Sequence, residues 1–94
     1  MEHKFGGFVW DSGREKANIE KHGVNFTIAS KAFHDANRKF ILDLKHSVTE
    51  QRYYCIGKVE DKIMTVRFTY RKNQIRIFGA GYWRKGKVWY EEKI

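Results

Sequence analysis

An α+β domain is what these residues predict, with two helices laid on one face of a mainly antiparallel sheet and a short helix closing the chain. Three observations lead there. Between Gln51 and Tyr82 the chain passes through three β patterns in succession, broken only at Glu60-Asp61 and Lys72-Asn73. β-Branched and aromatic residues dominate all three, as half-buried strands require. Upstream, two segments bounded by capping residues read as helices, the second with apolar residues three and four apart. No proline occurs in the 94 residues, and no repeat is visible. That length supports one small core, so the expectation is a single domain over residues 1–94.

Taken in order, Phe5 to Trp10 reads as a short strand whose start Gly6-Gly7 leaves loose. Asp11 and Ser12 are N-cap residues for a helix over Ser12–His22, and Gly23 stands where a helix ends in the left-handed conformation. Its apolar contributions are only Ala17 and Ile19, so the sheet must hold it. Asn25 caps a second helix, Phe26–His34, whose Phe26, Ala29, Ala32 and Phe33 share one side and should cover the apolar sheet face. Lys39–Leu44 alternates as a strand, and Lys45–Glu50 is a polar loop. The strands of the meander are Arg52–Val59, Lys62–Arg71 and Gln74–Tyr82. The tail WRKGKVWYEEKI reads as a helix with Val88 and Trp89 inward, although Gly86 costs about 1 kcal/mol there relative to alanine. A return strand with Lys85-Gly86 in the turn is the other reading, and the helix is preferred.

If both breaks are hairpin turns, the register follows. Tyr70 then faces Ile75, Thr69 faces Arg76, Phe68 faces Ile77 and Arg67 faces Phe78. On the other side Arg52 faces Thr69, Tyr53 faces Phe68, Tyr54 faces Arg67 and Cys55 faces Val66. Tyr53, Cys55, Met64, Val66, Phe68, Tyr70, Ile75 and Ile77 fall on a core face. Arg52, Tyr54, Ile56, Arg67, Thr69, Arg71, Arg76 and Phe78 fall on the opposite one, which suits an anion. Arginines on adjacent strands with no acids between them repel one another, and a surface shaped only by stability would mix the signs. A plain solvated sheet face is the bland reading of the same residues.

Net charge is +8. Residues 1–61 hold ten Lys/Arg against nine Asp/Glu, a net of +1, and residues 62–94 hold nine against two, a net of +7. That asymmetry points to a polyanionic partner, nucleic acid or an acidic protein. One cysteine excludes a disulfide framework, and on the core face Cys55 reads as a small buried hydrophobe. No apolar run is long enough for a membrane span or a signal peptide, so the expected location is the cytoplasm. His3, His34 and His46 lack ligand spacing with Cys55 or each other, so no metal or other cofactor is expected.

Read together, FVWD (Phe8–Asp11), ANIEKHGVNF (Ala17–Phe26), Ala29, Phe33, Gly57, FTYR (Phe68–Arg71), IRI (Ile75–Ile77) and YEE (Tyr90–Glu92) resemble the BrnT toxins of bacterial type II toxin–antitoxin systems. KHGV-x-F-x-x-A-x-x-x-F is the most specific string. The resemblance implies a small RelE-like fold and metal-independent RNA cleavage that blocks translation. It also implies neutralisation by a BrnA-like antitoxin with a ribbon-helix-helix DNA-binding domain, operator DNA being reached only through that complex. Lys21, His22, Arg52, Thr69, Arg71 and Arg76 fall on family motif positions. Many members continue after the last strand with Ser-Ala-Arg, whereas this chain has Gly79-Ala80-Gly81 and then Tyr82-Trp83-Arg84-Lys85. Arg84 or Lys85 takes over the phosphate contact, or catalysis is weak or altered.

Metal-free RNA cleavage needs a base for the 2′-OH proton, cations for the charge growing on phosphorus and an acid for the leaving oxygen. Arg52, Arg67 and Arg76 suit the second role, since guanidinium forks match phosphate oxygens. Tyr54 and Phe78 can stack bases, and Arg71, Lys72, Arg84 and Lys85 extend the RNA-contacting set. His22 is a candidate acid or base, as is Lys21 or Tyr54 with its pKa lowered by neighbouring cations. His22 also reads as a partner of the last helix carbonyls, and Lys21 as a solvated helix end. A non-catalytic module that binds an acidic antitoxin or nucleic acid is the alternative function.

Overall fold

The computed structural model describes residues 1–92, a mixed α+β arrangement with a six-stranded sheet and three α-helices among them. The segment expected as one strand from Phe5 is a hairpin, β1 (Glu2–Phe5) paired antiparallel with β2 (Phe8–Asp11). Gly6 has a φ of 61°, the conformation needed by a two-residue turn with glycine first. The glycines are therefore the turn itself.

Helix α1 (Ser12–His22) starts at Asp11, whose carboxylate accepts from the Arg14 N–H at 3.0 Å. It ends at Gly23 with φ 70°, whose N–H reaches the Ile19 carbonyl at 2.8 Å. The inward residue is not Ala17 or Ile19, both exposed, but buried Asn18. The reason is its location. Strand β2 pairs with β6 (Gln74–Gly81) only at Phe8↔Ile75 and Val9↔Arg76, in parallel. Beyond that point the Asn18 amide takes over as hydrogen-bonding partner. Its Oδ1 accepts from Ala80 N–H at 3.1 Å and its Nδ2 donates to the Ala80 and Val24 carbonyls at 3.0 and 2.9 Å. A polar side chain is needed because buried backbone groups must be paired.

Helix α2 (Phe26–Ser30), capped by Asn25, is shorter than expected and tightens into a 3₁₀ turn over Lys31–His34. This seats Ala32 against strand β4 (Tyr53–Val59). A Cβ on Gly57 would lie 2.2 Å from the Ala32 carbonyl oxygen, so glycine is required. Phe26, Ala29, Ala32 and Phe33 are all buried, covering the apolar sheet face as expected. Strand β3 (Lys39–Leu42) stops two residues early because Asp43 accepts from His46 N–H and opens a 3₁₀ turn over Leu44–His46.

Strands β4, β5 (Lys62–Arg71) and β6 form the expected meander, and all adjacent pairs in the sheet except β2–β6 are antiparallel. Glu60, Asp61, Lys72 and Asn73 all have positive φ, the type I′ geometry that fixes hairpin register. The pairings Tyr53↔Phe68, Tyr54↔Arg67, Cys55↔Val66, Phe68↔Ile77, Thr69↔Arg76 and Tyr70↔Ile75 hold. Arg67↔Phe78 does not. A bulge makes Arg67 face Gly79, with Phe78 as the extra residue. Arg52 lies outside β4, in the loop before it.

The core contains Trp10, Phe26, Phe33, Cys55, Met64, Val66, Phe68 and Ile77. Burial pushes the Cys55 thiol up to about 12, which suits a packing role. The tail is helix α3 (Arg84–Glu91) and not a return strand; expected tail residues 93–94 lie outside the described ones. It covers part of the second sheet face, where Ile56 is fully buried. Gly86, not Val88, meets the sheet: Val88 is half exposed, while a Cβ on Gly86 would lie 1.8 Å from Thr65 Oγ1.

Candidate nucleic-acid site

Helical spacing puts Arg14, Lys21 and His22 on the side of α1 that Asn18 presses toward β6. There they meet Arg67 and Phe78 across a groove of about 220 Å³. The bulge brings Phe78 into this group: its ring centroid lies 4.3 Å from the Arg52 guanidinium and 5.4 Å from that of Arg14. The Arg67 guanidinium lies over Gly79, where a Cβ would come within 2.6 Å of it. His22 packs edge-on against Trp83 at 5.2 Å and makes no hydrogen bond to a helix carbonyl among the described residues. Among those residues, no carboxylate is within ion-pair distance of Arg14, Lys21, His22 or Arg67.

The remaining arginines differ, and the expectation of a face without acids is corrected here. Glu50 pairs with Arg71 at 2.9 Å and lies 3.8 Å from Arg52, and Glu2 pairs with Arg76. Both carboxylates come from outside the meander, β1 and the 47–52 loop, so alternation within the strands did not reveal them. Arg71, Lys72 and Arg76 line a separate cavity of about 230 Å³ with Glu2. Thr69 is 1 % exposed and its hydroxyl donates to the Gln51 carbonyl at 2.6 Å, bracing the loop that carries Glu50 and Arg52.

Tyr54 is not activated as a base. Burial, followed by the neighbouring Asp43 carboxylate, raises its pKa, and the opposing pull of Arg67 is weaker. Asp43 is itself buried and held by His46 Nδ1 at 2.8 Å. Arg84 lines a third cavity with Asp61, Lys62 and Lys87, and Lys85 sits over the Trp89 ring at 4.8 Å. Trp83 stands between these residues and His22.

The structure thus brings Lys21, His22, Arg52, Arg67 and Phe78 together, with Tyr54 adjacent as the strand partner of Arg67. It sets Arg71, Lys72, Arg76 and Arg84 apart. Sequence reasoning missed Arg14 and Asn18, although the positions 14, 18 and 21 share a helix face and were there to be found. The acids Glu2 and Glu50 carried no local signal.

A family model described as "Ribonuclease toxin, BrnT, of type II toxin-antitoxin system" matches residues 10–86. No curated protein matches the chain.

Proposed function

Because the chain belongs to the BrnT family of ribonuclease toxins of type II toxin–antitoxin systems, we propose that it cuts RNA internally in the groove between α1 and the β5–β6 bulge. The observation that carries this is the convergence of Arg14, Lys21 and Arg67 with His22 around Phe78, with no carboxylate within ion-pair distance of them among the described residues. Like charges held together cost stability unless an anion joins them. A phosphodiester supplies that anion. Arg67 and Arg14 stabilise the charge developing on phosphorus, Arg52 supports them from beyond Phe78, and His22 or Lys21 moves the protons. With cations in the electrophilic role, the reaction proceeds without a metal.

Phe78 and Tyr54 stack bases of the strand, and Arg71, Lys72 and Arg76 guide it past the ion-paired side, with Arg84 and Lys85 beyond Trp83. Thr69 positions the Arg52 loop. The wider reading is a single RelE-like domain acting in the cytoplasm, stopping translation and silenced by an acidic BrnA-like antitoxin whose ribbon-helix-helix domain binds operator DNA. Among the described residues no helix is long and apolar enough to cross a membrane.

A second reading, a binding module that cuts nothing, is favoured by the occupied Thr69 hydroxyl and the Glu2–Arg76 pair. Inducing the chain alone in a bacterium separates the two. Arrest with RNA fragments is expected, and Arg14→Ala/Arg67→Ala should lower cleavage by roughly 10²-fold or more while the protein stays folded. A folded double variant of full toxicity sinks the groove assignment, and intact RNA with the wild type favours the binding module.

A further inference from the structure

Beside the close contact of Gly86 with Thr65, where α3 meets the sheet, lies a cavity of about 300 Å³. Three of its six lining residues are flat rings, Tyr54 from β4, Trp83 at the start of α3 and Trp89 within it, with Thr65, Lys85 and Gly86 completing the walls. Tyr54 and Trp89 lie 5.7 Å apart at 45°, and Lys85 stands at the mouth over Trp89. The slot is not isolated. Trp83, on its other side, touches His22 at 5.2 Å, and Tyr54 is the direct cross-strand partner of Arg67. Two of its walls are therefore borders of the cationic groove.

We propose that this aromatic slot holds a nucleobase of single-stranded RNA, adjacent to the phosphate bound by Arg67 and its neighbours. The inference rests on the nuclease reading above and deepens it by naming where the substrate's base goes. Planar aromatic walls favour a planar, uncharged ring, because stacking is tolerant of base identity. Among the described residues the lining contains Lys85 and no carboxylate, which suits a ring carrying a phosphate and disfavours a second copy of this chain, whose net charge is also +8. No side chain caps α3 at Trp83, so the positive end of the helix adds to the same preference. Trp89 lies beyond residues 10–86 that the family model matches, whereas Tyr54, Thr65, Trp83, Lys85 and Gly86 lie within them.

The test is a titration of ¹⁵N-labelled protein with adenosine 5′-monophosphate, uridine 5′-monophosphate and ribose 5-phosphate, following the three indole N–H signals. Trp10 is an internal reference, being 1 % exposed with its Nε1–H donating to Glu15 at 3.1 Å. Trp83 and Trp89 should shift with both nucleotides and stay in place with ribose 5-phosphate, while Trp10 stays fixed throughout. Trp89→Ala should abolish the Trp83 shift and Trp89→Phe should keep it. On a short single-stranded RNA, Trp89→Ala should raise KM roughly 5- to 100-fold, with melting curves showing that both variants fold. No shift with either nucleotide, or an equal shift with ribose 5-phosphate, overturns the proposal. Nucleotide binding by a protein that cuts no RNA keeps the slot and removes the nuclease reading. RNA cut with an unchanged KM by Trp89→Ala does the reverse.

Discussion

Replacing Asn18 by alanine removes three buried contacts at once, those to Ala80 N–H, Ala80 C=O and Val24 C=O. Each orphaned backbone group costs about 1–3 kcal/mol when water does not reach it. Alanine returns roughly 0.5 kcal/mol through better helix propensity, and partial relaxation reduces the rest. A net loss of about 2–4 kcal/mol is expected. For a domain this size that lowers Tm by roughly 10–25 °C, measurable by thermal and urea unfolding. RNA cleavage should fall as well, because Arg14, Lys21 and His22 depend on the same anchor. Asn18→Asp provides a sharper check. At neutral pH the introduced carboxylate keeps one acceptor but turns an oxygen toward two carbonyls, so it should destabilise at least as much. Burial beside those carbonyls raises its pKa above the unfolded value, so stability should recover as pH falls and the group protonates. An alanine variant within about 0.5 kcal/mol of wild type, with cleavage intact, would refute the claim that this amide holds α1 to the β6 edge.

Gly86→Ala should destabilise by about 1–3 kcal/mol through overpacking, against the roughly 1 kcal/mol that helix propensity alone promises, because the new Cβ meets Thr65 Oγ1; a melting temperature above wild type would show that α3 does not sit this close. The Tyr90 hydroxyl donates to Asp35, which also accepts from Lys58 N–H at 2.7 Å and Asn37 N–H at 3.0 Å. That hydrogen bond holds Tyr90 up at about 12, so its contribution is complete below the ordinary phenol value near pH 10 and is lost as pH rises through about 12. Desolvation opposes the shift at Asp35, yet its hydrogen bonds win and lower it, so that contribution is present above about pH 4 and fades as pH falls through the lowered value. Stability of wild type minus Tyr90→Phe, measured from pH 3 to 11, should therefore be flat in the middle and shrink at both ends; a difference that grows above pH 10 contradicts the bond.

The three meander strands, both hairpin turns and the caps Asp11, Gly23 and Asn25 are readable along the chain, because each depends on neighbours a few residues away. The core face is readable except at Tyr70, which is 52 % exposed, and the Glu2–Asp11 hairpin reads as one strand. Helix α3 was readable only as a preference. What lay beyond reach involves partners far apart in sequence. The Asn18–Ala80 bonds span 62 positions and the Glu2–Arg76 pair spans 74. Periodicity says which side of an element a residue takes, and not what comes to meet it there. The bulge at Phe78 shows the same limit, since one extra residue in β6 moved that ring between Arg14 and Arg52 without any mark in the alternation. The residue sequence by itself set the meander, its two faces, the basic second half and the family resemblance. Tertiary packing sorted the cations, pairing Arg71 and Arg76 with Glu50 and Glu2 while gathering Arg14, Lys21 and Arg67 with no ion-pair partner among the described residues. Coulomb energy depends on separation in space, and separation in space is settled by long-range packing.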